Sequence, residues 1–370
     1  MLGIYIHIPF CKQRCSYCDF YSQTDFSLKK DFVNSLCNEI AARKNYLEND
    51  VIRTVYFGGG TPSLLQEDDF RQIFSTLFSN FDLSHCEEIT LEANPDDFAH
   101  NYTQLIRKYP FNRLSIGVQS FENDDLLLIN RRHTALQAVE AVRNCQKAGF
   151  DNISIDLMYG LPNQTPQKWL KTLQQAIDLR VQHISAYHLT YEENTPIYQQ
   201  RENGKITPVS EDASIELFEL ITKTLSENGF QHYEISNFAL PGYESKHNSA
   251  YWQGKKYLGL GPSAHSFNGT SRQWNAANIT EYIRGNRIAE IEILSEQDKI
   301  NEFIITRLRT LKGINIDEFT ELFGRASAQN LLLQSQPHIA QHNLLVENNY
   351  LHLTSNGIFI SDGIMRDLLQ

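Results

Sequence analysis

Apolar and polar positions follow two alternating periods along the first half of the chain. Short β-branched or apolar runs fall at Leu2–Ile8, Val51–Phe57, Glu88–Glu92, Arg113–Val118, Asn152–Leu157 and His183–His188. Between them, apolar residues recur at helical spacing over Leu28–Leu47, Asp68–Phe78, Tyr102–Tyr109, Ala135–Ala148 and Gln167–Leu179. Strand then helix, repeated about six times, predicts an α/β fold with parallel strands and right-handed crossovers. Gly149 stands at a helix C-cap position just before the next strand. Six such units close only part of a (β/α)8 barrel, that is, a partial (β/α)6 TIM-like barrel. In a barrel the βα loops gather at the C-terminal strand ends and build the site there.

The pattern changes after about residue 205. Asp212–Asn228 reads as a helix, Gln231–Ile235 as a short strand, and Pro241–Asn275 shows no clear period. From about Ser295 the chain turns helical, and Asn348–Asp362 reads as a small hairpin plus helix. The expected division is 1–205 for the barrel, 206–290 for an extension of it, and 291–370 for a small, mainly helical domain.

Composition narrows the partners more than the fold. The chain of 370 residues carries a net charge of -11, which argues against bulk electrostatic binding to nucleic acid. No charged segment followed by an apolar run opens the chain, and nowhere do 18 apolar residues run together. A cytoplasmic protein is the expectation. Six cysteines, three clustered and three scattered, do not make a secreted disulfide framework. Cys37, Cys86 and Cys145 read as buried structural residues.

The clustered three, Cys11, Cys15 and Cys18, have the spacing C-x3-C-x2-C directly after the first strand. Their i, i+4, i+7 positions would share one helix face, but Pro9 and the polar Lys12-Gln-Arg14 favour a loop. Spacing alone leaves two metal sites open. A zinc ion needs a fourth ligand, which His7 or Asp19 could supply. A four-iron cluster held by three thiolates leaves one iron open for chemistry.

Other residues converge on the same rim. Gly58-Gly-Gly-Thr-Pro-Ser63 follows the second strand, where glycines let a ligand approach backbone N–H groups and a tight turn explains them nearly as well. Glu92 ends the third strand, Gln119 follows the fourth and Asp156 ends the fifth. Taken singly, each acid reads as a helix cap or a surface group. Arg131 lies near a helix junction, where a solvated cation is an equal reading.

Together these residues resemble the radical S-adenosylmethionine (radical SAM) family. The likeness rests on C-x3-C-x2-C with an aromatic, Tyr17, before the third Cys, and on the GGGTP-like Gly58–Pro62. It covers residues 2 to about 190 and implies a [4Fe–4S] cluster on Cys11, Cys15 and Cys18. It also implies S-adenosylmethionine chelating the open iron and a partial barrel of the radical SAM type. A narrower resemblance, to the oxygen-independent coproporphyrinogen III oxidase group, rests on Tyr5–Cys11, Arg113–Phe121 and Asp156–Pro162. By it, Tyr5, Tyr17, Gly59, Gly60, Thr61, Glu92, Gln119, Arg131 and Asp156 contact S-adenosylmethionine. Looser matches add Tyr187 and His265.

Two departures point away from oxidase activity. The oxidase pattern continues C-x-C, but Phe20 stands in the fourth place, and only four residues precede Tyr5 where the oxidase has an N-terminal extension. A third feature is His247-Asn-Ser-Ala-Tyr-Trp252. It matches the H-N-x-x-Y-W signature of haem chaperones related to that oxidase. The tail, including Leu353–Gly357, resembles their small winged-helix-like domain. A His can ligate haem iron and aromatics can pack on a porphyrin, so that likeness implies haem as a third cofactor with His247 against it. It implies delivery to an acceptor haemoprotein, including one at the inner membrane face, with the cluster supporting a homodimer or timing transfer. The oxidase, which would decarboxylate porphyrinogen propionates, and a zinc-stabilised binding protein are the alternatives.

Overall fold

The computed structural model describes residues 2–48, 51–98 and 100–370. Its first half alternates strand and helix: β1 (Leu2–Ile8), α1 (Lys29–Ala42), β2 (Ile52–Gly59), α2 (Glu67–Asn80), β3 (Glu88–Ala93), α3 (His100–Ile106), β4 (Arg113–Gln119), α4 (Asn123–Leu128), α5 (Ala135–Lys147), β5 (Ile153–Tyr159), α6 (Pro166–Asp178) and β6 (His183–His188). Strands β1 to β6 pair in parallel, each with the next, as the alternating periods require. Within β1 the pleat sorts the side chains. Ile4, Ile6 and Ile8 are fully buried in the main core, whereas Tyr5 and His7 face a cavity on the other side.

The middle of the chain continues the same sheet. It holds α7 (Pro196–Glu202), α8 (Glu211–Glu227), β7 (Gln231–Glu234), β8 (Asn237–Ala239), α9 (Lys246–Trp252), β9 (Tyr257–Leu260), β10 (His265–Phe267), β11 (Ser271–Asn275), α10 (Ile279–Arg284) and β12 (Ile288–Ile293). β8 and β7 extend the sheet antiparallel beyond β6. At the other edge β9 lies parallel to β1, and β10 to β12 follow as an antiparallel meander. The sheet therefore has 12 strands in the order β12-β11-β10-β9-β1-β2-β3-β4-β5-β6-β8-β7. Pro241–Asn275, aperiodic in sequence, contains a helix and three strands of 3 to 5 residues, too short for a period to show.

The tail comprises α11 (Glu296–Leu308), β13 (Ile314–Asn315), α12 (Ile316–Ala340), β14 (Leu344–Glu347), β15 (Tyr350–Leu353), α13 (Ser355–Phe359) and α14 (Ser361–Asp367). α12 is two helices meeting at Gly324, which has φ 84°. The hairpin begins earlier than the expected Asn348. Asn348 and Asn349 form its turn, both with positive φ, the backbone that a tight two-residue connection needs. Phe303, Phe319 and Phe323 pack with ring centroids 5.0 to 5.7 Å apart. Through Phe303 and Phe323 the tail walls a cavity shared with the sheet.

Candidate functional site

The segment Cys11–Cys18 is a loop, not a helix face. Distant backbone holds it in place. Cys11 N–H donates to Gln23 O (2.9 Å), Ser16 N–H to Ile129 O (3.0 Å), and Ile197 N–H to Ser16 O (2.9 Å). Asn130 clasps both sides, donating to Arg14 O and accepting from Gln13. All three sulfurs receive hydrogen bonds, that of Cys18 from the Phe20 backbone N–H. Thr61 donates to Cys11 Sγ at 3.5 Å and Arg131 to Cys15 Sγ at 3.3 Å. Burial pushes the Cys18 thiol up to about 11 and raises Cys11 as well. Arg131 also donates to Asn94 Oδ1 (2.6 Å) and to Gly117 O, so it is a clamped internal cation, not a solvated one. Its own burial lowers its pKa, but Tyr17 and Cys15 beside it raise it to above the ordinary value.

The glycine run serves first to bring strand ends together. A Cβ on Gly60 would lie 2.7 Å from Ile8 O and Phe10 O, and Gly59 has φ 101° with the His7 ring 2.5 Å from its Cβ position. Gly60 N–H donates to Ile8 O at 2.8 Å and Gly59 N–H to Glu92 Oε2 at 3.2 Å. These two donors are thus engaged within the protein. Glu92 Oε1 also accepts from Tyr56 at 2.6 Å. Burial raises Glu92 to about 7 and Asp156 to about 6. Among the described residues no basic side chain pairs with Glu92, so this corner favours a cationic ligand. Gln119, a non-glycine at φ 66° and 8% exposed, is held in the uncommon left-handed region at the end of β4.

These groups share one cavity of about 440 Å³. Cys11, Cys15 and Cys18 open on it, with Tyr17, Gly59, Gly60, Thr61, Gln119, Arg131 and Asp156. A second cavity, about 1020 Å³, adjoins it and sits at the top of the roughly 300–1,000 Å³ range of ligand sites. Tyr5, His247 and His265 line this larger cavity rather than the smaller one. Asp19, Phe20, Glu92 and Tyr187 line both. His247 is 2% exposed, hydrogen-bonded at Nδ1 to Thr54 Oγ1 and at Nε2 to Tyr251 Oη, both at 2.8 Å, and stacked on Tyr56. Ligation of iron by His247 would require breaking one of those bonds. Sequence reasoning passed over Tyr56, which lines the larger cavity and holds Glu92 where the two cavities meet. Its signal was the pleat of β2, which turns Thr54 and Tyr56 to the lumen side.

The thiol geometry bears on the metal. Among the described residues no three His, Cys, Asp or Glu side chains are drawn together around one ion position. His7, a possible fourth zinc ligand, has both ring nitrogens engaged, by Tyr5 at 3.1 Å and Tyr21 O at 2.9 Å. Three thiols spread around a cavity, each hydrogen-bonded at sulfur, fit a multi-iron group better than a lone ion. Cys37 and Cys145 are buried, as expected, but Cys86 is only half-buried, with its thiol donating to Glu88 O. Among the described residues no helix is long and apolar enough to cross a membrane.

Comparison with known proteins fits this geometry. The Radical SAM superfamily model matches residues 5–176, and the HemN C-terminal domain matches 294–360. The chain is 33% identical to the haem chaperone HemW of Lactococcus lactis over 99% of this chain and 96% of the relative. It is 32% identical to that of Bacillus subtilis, covering 98% of each, and 32% to that of Escherichia coli, covering 95% and 97%. Coproporphyrinogen III oxidase (HemN) from Escherichia coli, a radical SAM enzyme, superposes with a TM-score of 0.86 at 23% identity, covering 100% of this chain and 90% of that one; this shows the fold. Fold and cysteine loop together define a radical SAM protein. Within that superfamily the chain belongs to the HemW family.

Proposed function

We propose that this chain is a haem chaperone. It takes haem into the larger cavity, holds a [4Fe–4S] cluster on Cys11, Cys15 and Cys18, binds S-adenosylmethionine in the smaller cavity, and passes haem to an acceptor haemoprotein. The carrying observation is the pair of adjoining cavities, one with thiols and buried acids, the other wide and aromatic, sharing Asp19, Phe20, Glu92 and Tyr187. The relatives described above carry the name haem chaperone, which supports the same reading.

When bound, the cluster would supply an electron drawn from an external reductant and an open iron for the amine and carboxylate of S-adenosylmethionine to chelate. This chain's residues do the rest. Thr61 and Arg131 donate to cluster-ligand sulfurs, which tunes the potential. Glu92 and Asp156 meet the ligand's positive groups, and Glu92, held up to about 7 by burial, gives up the proton it still holds as they arrive. Tyr5, Tyr56 and Tyr251 offer ring faces to a porphyrin. The decisive experiment incubates the anaerobically reconstituted protein with coproporphyrinogen III, S-adenosylmethionine and a reductant, beside a haem titration. Saturable haem uptake without protoporphyrinogen formation is expected. Clear turnover would sink the chaperone reading in favour of the oxidase.

A further inference from the structure

We infer that His265 is an axial ligand of haem iron in the larger cavity, an assignment that rests on the haem-binding reading. Three histidines line that cavity: His7, His247 and His265. The first two have both ring nitrogens engaged by protein groups. Among the described residues, no hydrogen bond occupies either ring nitrogen of His265, and the residue is exposed. Among the described histidines of that wall, His265 is the one that can bind iron without first breaking a bond.

The ring is also held in one orientation. His265 pairs across β10 and β11 with Trp274, and the two rings stack with centroids 5.6 Å apart and planes 23° apart. The turn carrying His265 is fixed from beneath. Glu39, 1% exposed, accepts from Gly261 N–H (2.9 Å), Asn275 (2.7 Å) and Tyr282 (2.6 Å). Arg43 donates to Gly259 O (2.9 Å) and Ser266 Oγ (3.1 Å). Gly259 admits no side chain, since a Cβ would lie 1.9 Å from His265 O. A ligand imidazole on a rigid turn is the pre-organisation that a metal ligand needs.

The same wall offers partners for an anionic ligand edge. Arg272 pairs with Glu302 at 2.6 Å, yet its Nε is buried without a partner. Trp252 Nε1 is another buried donor without one, on a residue that lines the cavity. Lys255 is exposed on the lining and makes no ion pair among the described residues. A macrocycle with two carboxylates, coordinated at its centre by His265, would turn its anionic edge to Lys255 and the exposed part of Arg272 on the same wall.

The test titrates ferric haem into the full chain and into His265→Ala, His265→Gly and His247→Ala, reading the Soret band, the spin state and haem dissociation. His265→Ala should shift the Soret band and speed dissociation by ~10-fold or more. Imidazole added to His265→Gly should restore the wild-type spectrum, which a merely structural role would not produce. Unchanged far-ultraviolet circular dichroism checks that the variants fold. A Soret band that moves in His247→Ala but stays in His265→Ala overturns the assignment while leaving haem binding intact. A wild-type chain that takes up no haem overturns both.

Discussion

The two cavities abut, but they are built on opposite terms. The smaller is assembled from βα loops of the parallel strands and gathers buried acids and a residue in an uncommon backbone region. Its acids are pushed up by burial to about 7 and about 6, and Gln119 sits in the left-handed region. The larger is walled by side chains of β1 and β2, by strands added at the sheet edge and by helices of the tail. Two of its three histidines are satisfied within the protein. The difference teaches that a reactive small ligand is met by pre-set charge, whereas a large flat one is met by area and a few free donors.

Removing a cluster thiol should separate the two most sharply. Cys15→Ser takes away one of three sulfurs and the acceptor of the Arg131 hydrogen bond. Reconstituted iron should fall from about four per chain to near zero, with loss of the cluster absorption. Haem affinity should stay within about twofold, because the cysteine lines only the smaller cavity. Equal loss of haem and iron in this variant would show that the cavities are one site.

Glu92→Gln probes the charge term next. The folded protein holds the Glu92 proton up to about pH 7, well above the ordinary 4.5 of an unfolded glutamate. The folded state therefore binds more protons between those values, and its stability falls as pH rises through that window. Below it the carboxyl is neutral in both states and nothing is lost. Glutamine cannot ionise, so Glu92→Gln should be more stable than wild type at pH 8, by up to about 3 kcal/mol, and equal to it at pH 4. S-adenosylmethionine should reverse the order at pH 8, since its cationic groups favour the carboxylate. Urea melts at both pH values, with and without it, decide the matter; a difference independent of pH would remove Glu92 from this role.

Sequence and structure part at the same boundary as the cavities. The strand and helix periods of residues 2–188 foretold the parallel core and placed Cys11–Cys18, Glu92, Gln119 and Asp156 at one rim, because each parallel strand is long enough to show its pattern. The larger cavity was hardly legible. β9, β10 and β11 are 3 to 5 residues long, and α9 has only two turns. Their pairing with β1 depends on contacts more than 200 residues apart, such as Glu39 with Asn275 and Gly261, which no local period encodes. Tyr5 and His265 carried no sign that they face a different cavity from Gln119. The glycines misled in a related way: their spacing was readable, but the close strand approach that requires them was not.

Phe20 belongs to both cavities and so gives the finest test of their separation. It stands two residues beyond Cys18, is 64% exposed despite its size, and lines each cavity. An aromatic ring exposed at a shared mouth gains by stacking on a flat ligand, worth about 0.5–1.5 kcal/mol beyond area. Phe20→Ala should therefore weaken haem binding by roughly threefold to tenfold and leave the iron content of the reconstituted protein unchanged. Phe20→Leu, which keeps apolar area but not the ring, should fall between. Haem titration beside iron analysis on all three chains provides the reading. If iron drops with haem in Phe20→Ala, the ring supports the cysteine loop rather than the ligand, and the partition between the cavities must lie with Asp19, Glu92 and Tyr187 instead.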